Sequence, residues 1–174
     1  MTATRRSSGH LGTMPLTPVE RDAGAPPTSA SVGALLLRLT LAVVIFPHGA
    51  QKVLGEFGGP GFGATIDHFA QAWGLAAFWT ILVMAAEFLG PLGLLCGLMT
   101  RLCALGVGAV MVGAIVFEHA AHGFFMDWQG TADVEGFEFH LLAIGSALSL
   151  AVIGGGRWSF DHALARRTRP QQPR

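Results

Sequence analysis

The chain has 174 residues, a length suited to one domain, and its 11 Lys plus Arg balance its 11 Asp plus Glu. Charged residues are only 13% of the chain, about half the usual share in soluble domains, while 51% are apolar. The neutral balance leaves no basic patch for a nucleic acid, and two cysteines without a CxxC or zinc-type spacing exclude a disulfide framework.

Residues 1–31 are rich in Ser, Thr, Pro, Ala and Gly, with Pro15, Pro18, Pro26 and Pro27. So little apolar surface predicts a disordered tail. The first apolar run follows this tail and is too long for a signal h-region, so no cleavable signal peptide is expected.

Four apolar runs follow, at 33–54, 76–98, 102–121 and 137–154. Runs of about 20 residues at roughly 1.5 Å per residue match a hydrocarbon core about 30 Å thick. The stretch 104–117 has no polar residue, whereas a soluble bundle helix would carry one every third or fourth position. Barrel strands would be shorter and alternating. The expected fold is therefore all-α, an integral membrane four-helix bundle. It comprises a tail at 1–31, the transmembrane domain at 32–162 and a basic tail at 163–174.

Arg5, Arg6, Arg21, Arg101, Arg157, Arg166, Arg167, Arg169 and Arg174 lie in the tails or the second loop, which share one side of a four-span protein. Glu56, Asp67, Asp127, Asp133 and Glu135 lie in the first and third loops. The positive-inside rule then places both termini in the cytoplasm and the protein in the inner membrane. In the first outer loop, Ile66, Phe69, Ala70 and Trp73 recur at helical spacing and predict a short interfacial helix. Trp73, Trp79, Phe124, Phe125 and Trp128 are expected in an outer aromatic belt, with Trp158 in the inner one. Gly93/Gly97, Ala109/Gly113 and Gly145/Ser149 are small-residue pairs suited to helix packing.

Ionisable groups inside membrane spans are costly, and their default reading is a paired or functional group. Arg38 sits above the inner end of the first span, within reach of Glu87 or, by snorkelling, of the inner headgroups. Glu87 is mid-span and cannot snorkel. Pro91, four residues on, removes the donor that would bond the Glu87 carbonyl. His48, Lys52 and Glu56 follow at i, i+4 beyond Pro47, which is expected to kink the first helix. Arg38, His48, Lys52 and Glu87 are thus a candidate polar intramembrane site. Glu118, His119, His122, Glu138 and His140 form a second candidate cluster toward the outer face. Imidazoles and carboxylates at one level suit a metal, but no ExxH pair recurs on two helices, so no metal is expected. Cys96 and Cys103 flank the short inner turn and read first as small hydrophobes. GGPGFG at 58–63 follows a membrane span rather than a strand, which argues against a nucleotide loop.

These residues resemble the DoxX family of small bacterial membrane proteins over about residues 33–162. The stretches that carry the resemblance are LLLRL with Arg38, PHGAQK with His48, Gly49 and Lys52, GGPGFG, and AAEFLGPLGLLCGLMTR with Glu87, Gly90, Gly93 and Arg101. HAAHGFF with His119 and His122, GFEFHLLAI with Glu138, and GGGRWSFD complete the order. The family takes its name from thiosulfate:quinone oxidoreductase subunits, and the resemblance implies a quinone-linked subunit of a membrane oxidoreductase assembly in sulfur metabolism or oxidative stress. It implies a quinone as cofactor and other oxidoreductase subunits, besides the lipid bilayer, as partners. The residues show no haem, flavin or dithiol pattern, so no intrinsic cofactor is expected, and electrons must come from a partner. A non-catalytic membrane anchor and a proton-linked small-solute transporter use the same polar residues and stay open, as do the substrate and the oligomeric state.

Overall fold

A computed structural model describes residues 27–130 and 135–168. The remainder of the N-terminal tail, Asp133 of the third loop and the last part of the basic tail lie outside the described residues. The described chain is all-helical: α1 Thr28–Leu54, α2 Phe62–Trp73, α3 Ala77–Cys96, α4 Thr100–Ala114, α5 Glu138–Ile153 and α6 Phe160–Thr168. A π-helical turn Ile115–His119 and a short 3₁₀ turn Ala120–His122 prolong α4. Three stretches, Thr28–Leu54, Ala77–Cys96 and Thr100–His122, are long and apolar enough to cross a membrane. The apolar helix α5 has 16 residues, a rise of roughly 24 Å.

α1 begins at Thr28, so residues 28–31 belong to the folded domain and not to the tail. Ser31 is the reason: its hydroxyl donates to the Pro27 carbonyl (3.1 Å) and accepts from the Arg157 backbone N–H (3.3 Å). Both α1 and α3 run on through their internal prolines, Pro47 and Pro91. The expected helix in the first loop is present as α2, and α6 extends order into the segment read as a basic tail.

α1 packs on α3 and α5, and α4 packs between α3 and α5. The core between them includes Ala34, Leu41, Ile45, Leu94, Ala104, Val107, Ala147 and Leu150. Three of these eight are alanines, which lets helix backbones approach closely. Large apolar side chains such as Leu36, Val43, Leu82, Leu89, Leu105, Leu142 and Val152 are exposed, as expected for a surface solvated by lipid tails. The small-residue pairs divide. Gly90 and Gly93 lie against Val107 and Cys103 of α4, whereas Gly113 and Gly145 meet nothing. The α4–α5 approach is made instead at Gly108 and Ala147.

The tail end of the bundle, where α1 starts and α5 stops, is closed by reciprocal helix caps. α3 stops at Gly97, whose left-handed φ of 69° suits glycine. Gly97 N–H donates to Leu94 and Leu98 N–H to Gly93, the paired bonds of a Schellman ending. Asp161 then caps α4 from a distant part of the chain, its carboxylate accepting from the backbone N–H of Met99 (2.7 Å) and Thr100 (2.8 Å). Arg101 donates to the Val152 carbonyl in the last turn of α5 (3.2 Å).

Arg38 is the centre of this end. It is 1% exposed. Its Nε donates to Leu94 O (2.7 Å), Nη2 to Leu95 O (2.9 Å), and Nη1 to both Gly155 O (2.9 Å) and Trp158 O (3.0 Å). The first two carbonyls belong to the last turn of α3, and the others to the chain leaving α5. Helix C-termini leave carbonyls without intrahelical donors and carry partial negative charge, so one guanidinium satisfies both needs. Arg38 neither snorkels to the headgroups nor pairs with Glu87; its reach is spent on backbone oxygens.

Candidate functional site

Glu87 is paired with Lys52. Lys52 Nζ lies 2.9 Å from Glu87 Oε2. The glutamate side chain is 6% exposed and the lysine side chain 22%, so a buried carboxylate is matched to an ammonium that still reaches open space. Glu87 lies ten residues in from Ala77, while Lys52 is two residues from the end of α1. The pair forms because α1 ends level with the middle of α3. α2 packs against both α1 and α3 and fills the place beside the outer part of α3.

Two close approaches fix this offset. Gly49 lies on the Glu87 backbone, where any Cβ would overlap the Glu87 carbonyl, the group that Pro91 leaves without its helical donor. Phe46 and Phe88 stack beside it with ring centres 5.4 Å apart. The GGPGFG loop folds back onto the end of α1. Gly59 packs against the Gln51 backbone with no room for a side chain, and Gly61 N–H donates to Gln51 O (3.0 Å). Gln51 Nε2 donates to Phe57 O (3.2 Å), and the Thr65 hydroxyl lies 2.7 Å from Gly61 O and 3.3 Å from Lys52 O. The glycines of this motif therefore serve chain folding around Lys52.

Above the pair is a cavity of about 410 Å³ lined by Gln51, Lys52, Pro60, Thr65, His68 and Phe69, within the range of small-ligand pockets. Phe69 is buried and packs edge-on to Trp73 with ring centres 4.5 Å apart, and Trp73 in turn meets Phe117 of the π-helical turn (5.9 Å). The cavity thus offers an ammonium, an amide, a hydroxyl and an imidazole beside an aromatic wall. Gln51, Thr65 and His68 were not singled out from the sequence. The signal available was the i, i+3, i+4 spacing of Thr65, His68 and Phe69 on α2.

The four residues of the intramembrane candidate site divide. Lys52 and Glu87 touch, and His48 is exposed one turn before Lys52, within electrostatic reach of both. Arg38 belongs to the other end of the bundle. The outer cluster also divides. His119 and His140 meet ring to ring, with centres 4.1 Å apart and planes inclined by 41°. His119 Nδ1 lies 2.8 Å from Glu135 O, so it carries the proton and donates. His140 is buried, and its Nδ1 has no partner among the described residues. His122 is exposed and bonds through Nδ1 to Glu118 O of its own turn (2.9 Å). Glu138 accepts from Met126 N–H (3.0 Å) and pins the loop that precedes α5. Cys96 and Cys103 are both free thiols, and Cys103 Sγ points to Leu98 O (3.5 Å).

The DoxX family model matches residues 33–120, from the start of the first apolar run through the π-helical turn. The chain belongs to the DoxX family. Arg38, His48, Lys52, Glu87 and His119 all fall inside the DoxX match, whereas Glu138, His140 and the GGGRWSFD segment lie beyond it. Among curated proteins, the chain is 32% identical over 88 residues to the Bacillus subtilis (strain 168) protein named "Putative oxidoreductase CatD", covering 51% of this chain and 60% of that protein. It is 29% identical over 134 residues to the "Inner membrane protein YqjF" of Escherichia coli (strain K12), covering 76% of this chain and 92% of YqjF. No solved structure matches this DoxX protein.

Proposed function

We propose that this DoxX protein is a quinone-linked subunit of a membrane oxidoreductase assembly and that the cavity over Lys52 and Glu87 receives the quinone ring. The observation that carries the reading is a buried carboxylate whose one ion pair among the described residues is with a lysine lining an open, partly aromatic cavity. A structural ion pair has no need of a cavity. The name of CatD supports an oxidoreductase role, and the name of YqjF supports an inner membrane location. Arg101, Arg157, Arg166 and Arg167 gather at the tail end, and Glu56, Asp67, Asp127 and Glu135 at the other. That segregation supports four spans with cytoplasmic termini and a cavity opening toward the outer face.

The residues fit such a ring. Lys52 has three donors, of which the Glu87 contact occupies one direction, so Nζ is able to donate to a ring carbonyl. Gln51 stands beside it, and Phe69 gives an apolar face. Glu87 holds the lysine in place and serves as a nearby proton acceptor, while the exposed His68 exchanges protons with water at the mouth. A bound quinone supplies the capacity to take up two electrons and two protons; the partner subunit supplies the electrons. The inter-helix space at Gly90 and Gly93 is filled by Val107 and Cys103, so an isoprenoid tail has to leave along the lipid-facing surface instead.

The test is the quinone content of protein purified in native lipid, compared among wild type, Lys52→Met, Glu87→Gln and His122→Ala. Quinone should fall to trace levels in the first two variants and stay at the wild-type level in His122→Ala, which lies outside the cavity. Equal content in all four would leave the membrane-anchor reading in its place.

A further inference from the structure

The segment leaving α5, GGGRWSFD, takes no part in the cavity over Lys52. It borders a second cavity of about 500 Å³ at the tail end of the bundle, between the start of α4 and the start of α6. One wall is polar, made by Thr100, Arg101, His162 and the Gly154–Gly156 backbone, and the other is apolar, made chiefly by Leu102 and Ile153. The polar wall lies at the helix ends. Leu102 and Ile153 sit on the helices themselves, and both are exposed on the apolar surface.

From this division we infer that the tail-end cavity binds an anionic phospholipid, with the phosphate at Arg101 and His162 and an acyl chain along Leu102 and Ile153. The inference does not depend on the quinone reading. Arg101 is exposed and gives one donor to Val152, which leaves most of its five N–H groups directed elsewhere. Thr100 is fully buried, and its hydroxyl has no partner among the described residues. The one carboxylate in the wall, Asp161, has both oxygens occupied by the backbone N–H groups of Met99 and Thr100, which reduces its repulsion of a phosphate. α6 strengthens the match. Phe160 and Leu164, with Trp158 just before the helix, are exposed apolar groups, and Arg166 and Arg167 occupy the last turn, the composition of a helix lying on an anionic membrane surface. A free phosphate shares the head-group chemistry but has no use for the apolar wall.

Full-length protein in nanodiscs of phosphatidylcholine, with or without phosphatidylglycerol of the same acyl chains, separates these cases. Lipids retained on release into detergent are counted by native mass spectrometry. Phosphatidylglycerol should be retained in preference to phosphatidylcholine. The preference should fall about fivefold in Arg101→Gln, the loss of one basic group near the surface. It should vanish in His162→Glu, a half-buried position where a carboxylate meets the phosphate. Unchanged melting of His162→Glu shows that the bundle is intact. Equal retention of the two lipids, or a preference unaltered in both variants, overturns the proposal. Inorganic phosphate displacing phosphatidylglycerol at millimolar concentration also overturns it, by showing an anion site indifferent to the lipid tail.

Discussion

Two buried charged side chains, Arg38 at the tail end of the bundle and Glu87 midway along α3, are satisfied in opposite ways. Arg38 is surrounded by four backbone carbonyls taken from α3 and the chain beyond α5, and its own side chain lines neither of the two cavities. Among the described residues Glu87 has one charged partner, and that partner lines a cavity. Depth in the membrane and rarity of charge would class the two together. What separates them is the partner: neutral groups fixed by helix geometry in one case, a part-exposed ammonium with further donors in the other. The first arrangement tolerates no vacancy and suits a staple. The second can exchange a contact without dismantling the fold, as a binding site must.

Arg38 gives the largest effect with which to test this contrast. Arg38→Leu removes a cation and leaves the carbonyls of Leu94, Leu95, Gly155 and Trp158 without it, and a loss of about 4 kcal/mol is expected. Arg38→Lys should recover little, because three donors on a point-like ammonium cannot span four carbonyls. Thermal melting in detergent measures both. A stable, well-folded Arg38→Leu protein lacking function would move Arg38 from the staple to the site.

The Lys52–Glu87 pair comes next. Lys52→Met leaves the Glu87 carboxylate buried and uncompensated, at a cost of about 3 kcal/mol, whereas Glu87→Ala leaves a part-exposed ammonium and should cost less. The double variant Lys52→Met/Glu87→Gln should be less destabilised than the sum of its singles, with a coupling of about 1–3 kcal/mol in a double-mutant cycle. Additivity within about 0.5 kcal/mol would mean that the two groups do not sense each other in the folded protein.

The smallest effects calibrate the scale. Asp161→Asn keeps the shape but weakens the α4 cap, for which about 1 kcal/mol is expected. Asp67→Ala, on the exposed face of α2, should change stability by well under 1 kcal/mol. An Asp67 variant as damaged as Glu87→Ala would show that burial is not what distinguishes these carboxylates.

Hydropathy, spacing and residue type by themselves determined that this is a helical membrane protein, that α2 exists, and that Arg38, Lys52 and Glu87 are the groups to explain. These are local properties: an apolar run long enough to cross lipid is helical whatever it packs against, because no other open structure satisfies its backbone. Tertiary structure decided the partners. The offset that brings Lys52 level with Glu87 leaves no trace in the hydropathy of either helix, since lipid-facing residues look alike at any relative translation. It is set by Gly49 seating on the Glu87 backbone and by the GGPGFG loop folding onto Gln51. Sequence position leaves Arg38 two partners, Glu87 or the inner headgroups. Its actual partners are carbonyls, groups that every residue carries and no sequence pattern marks, freed only where α3 and α5 happen to end.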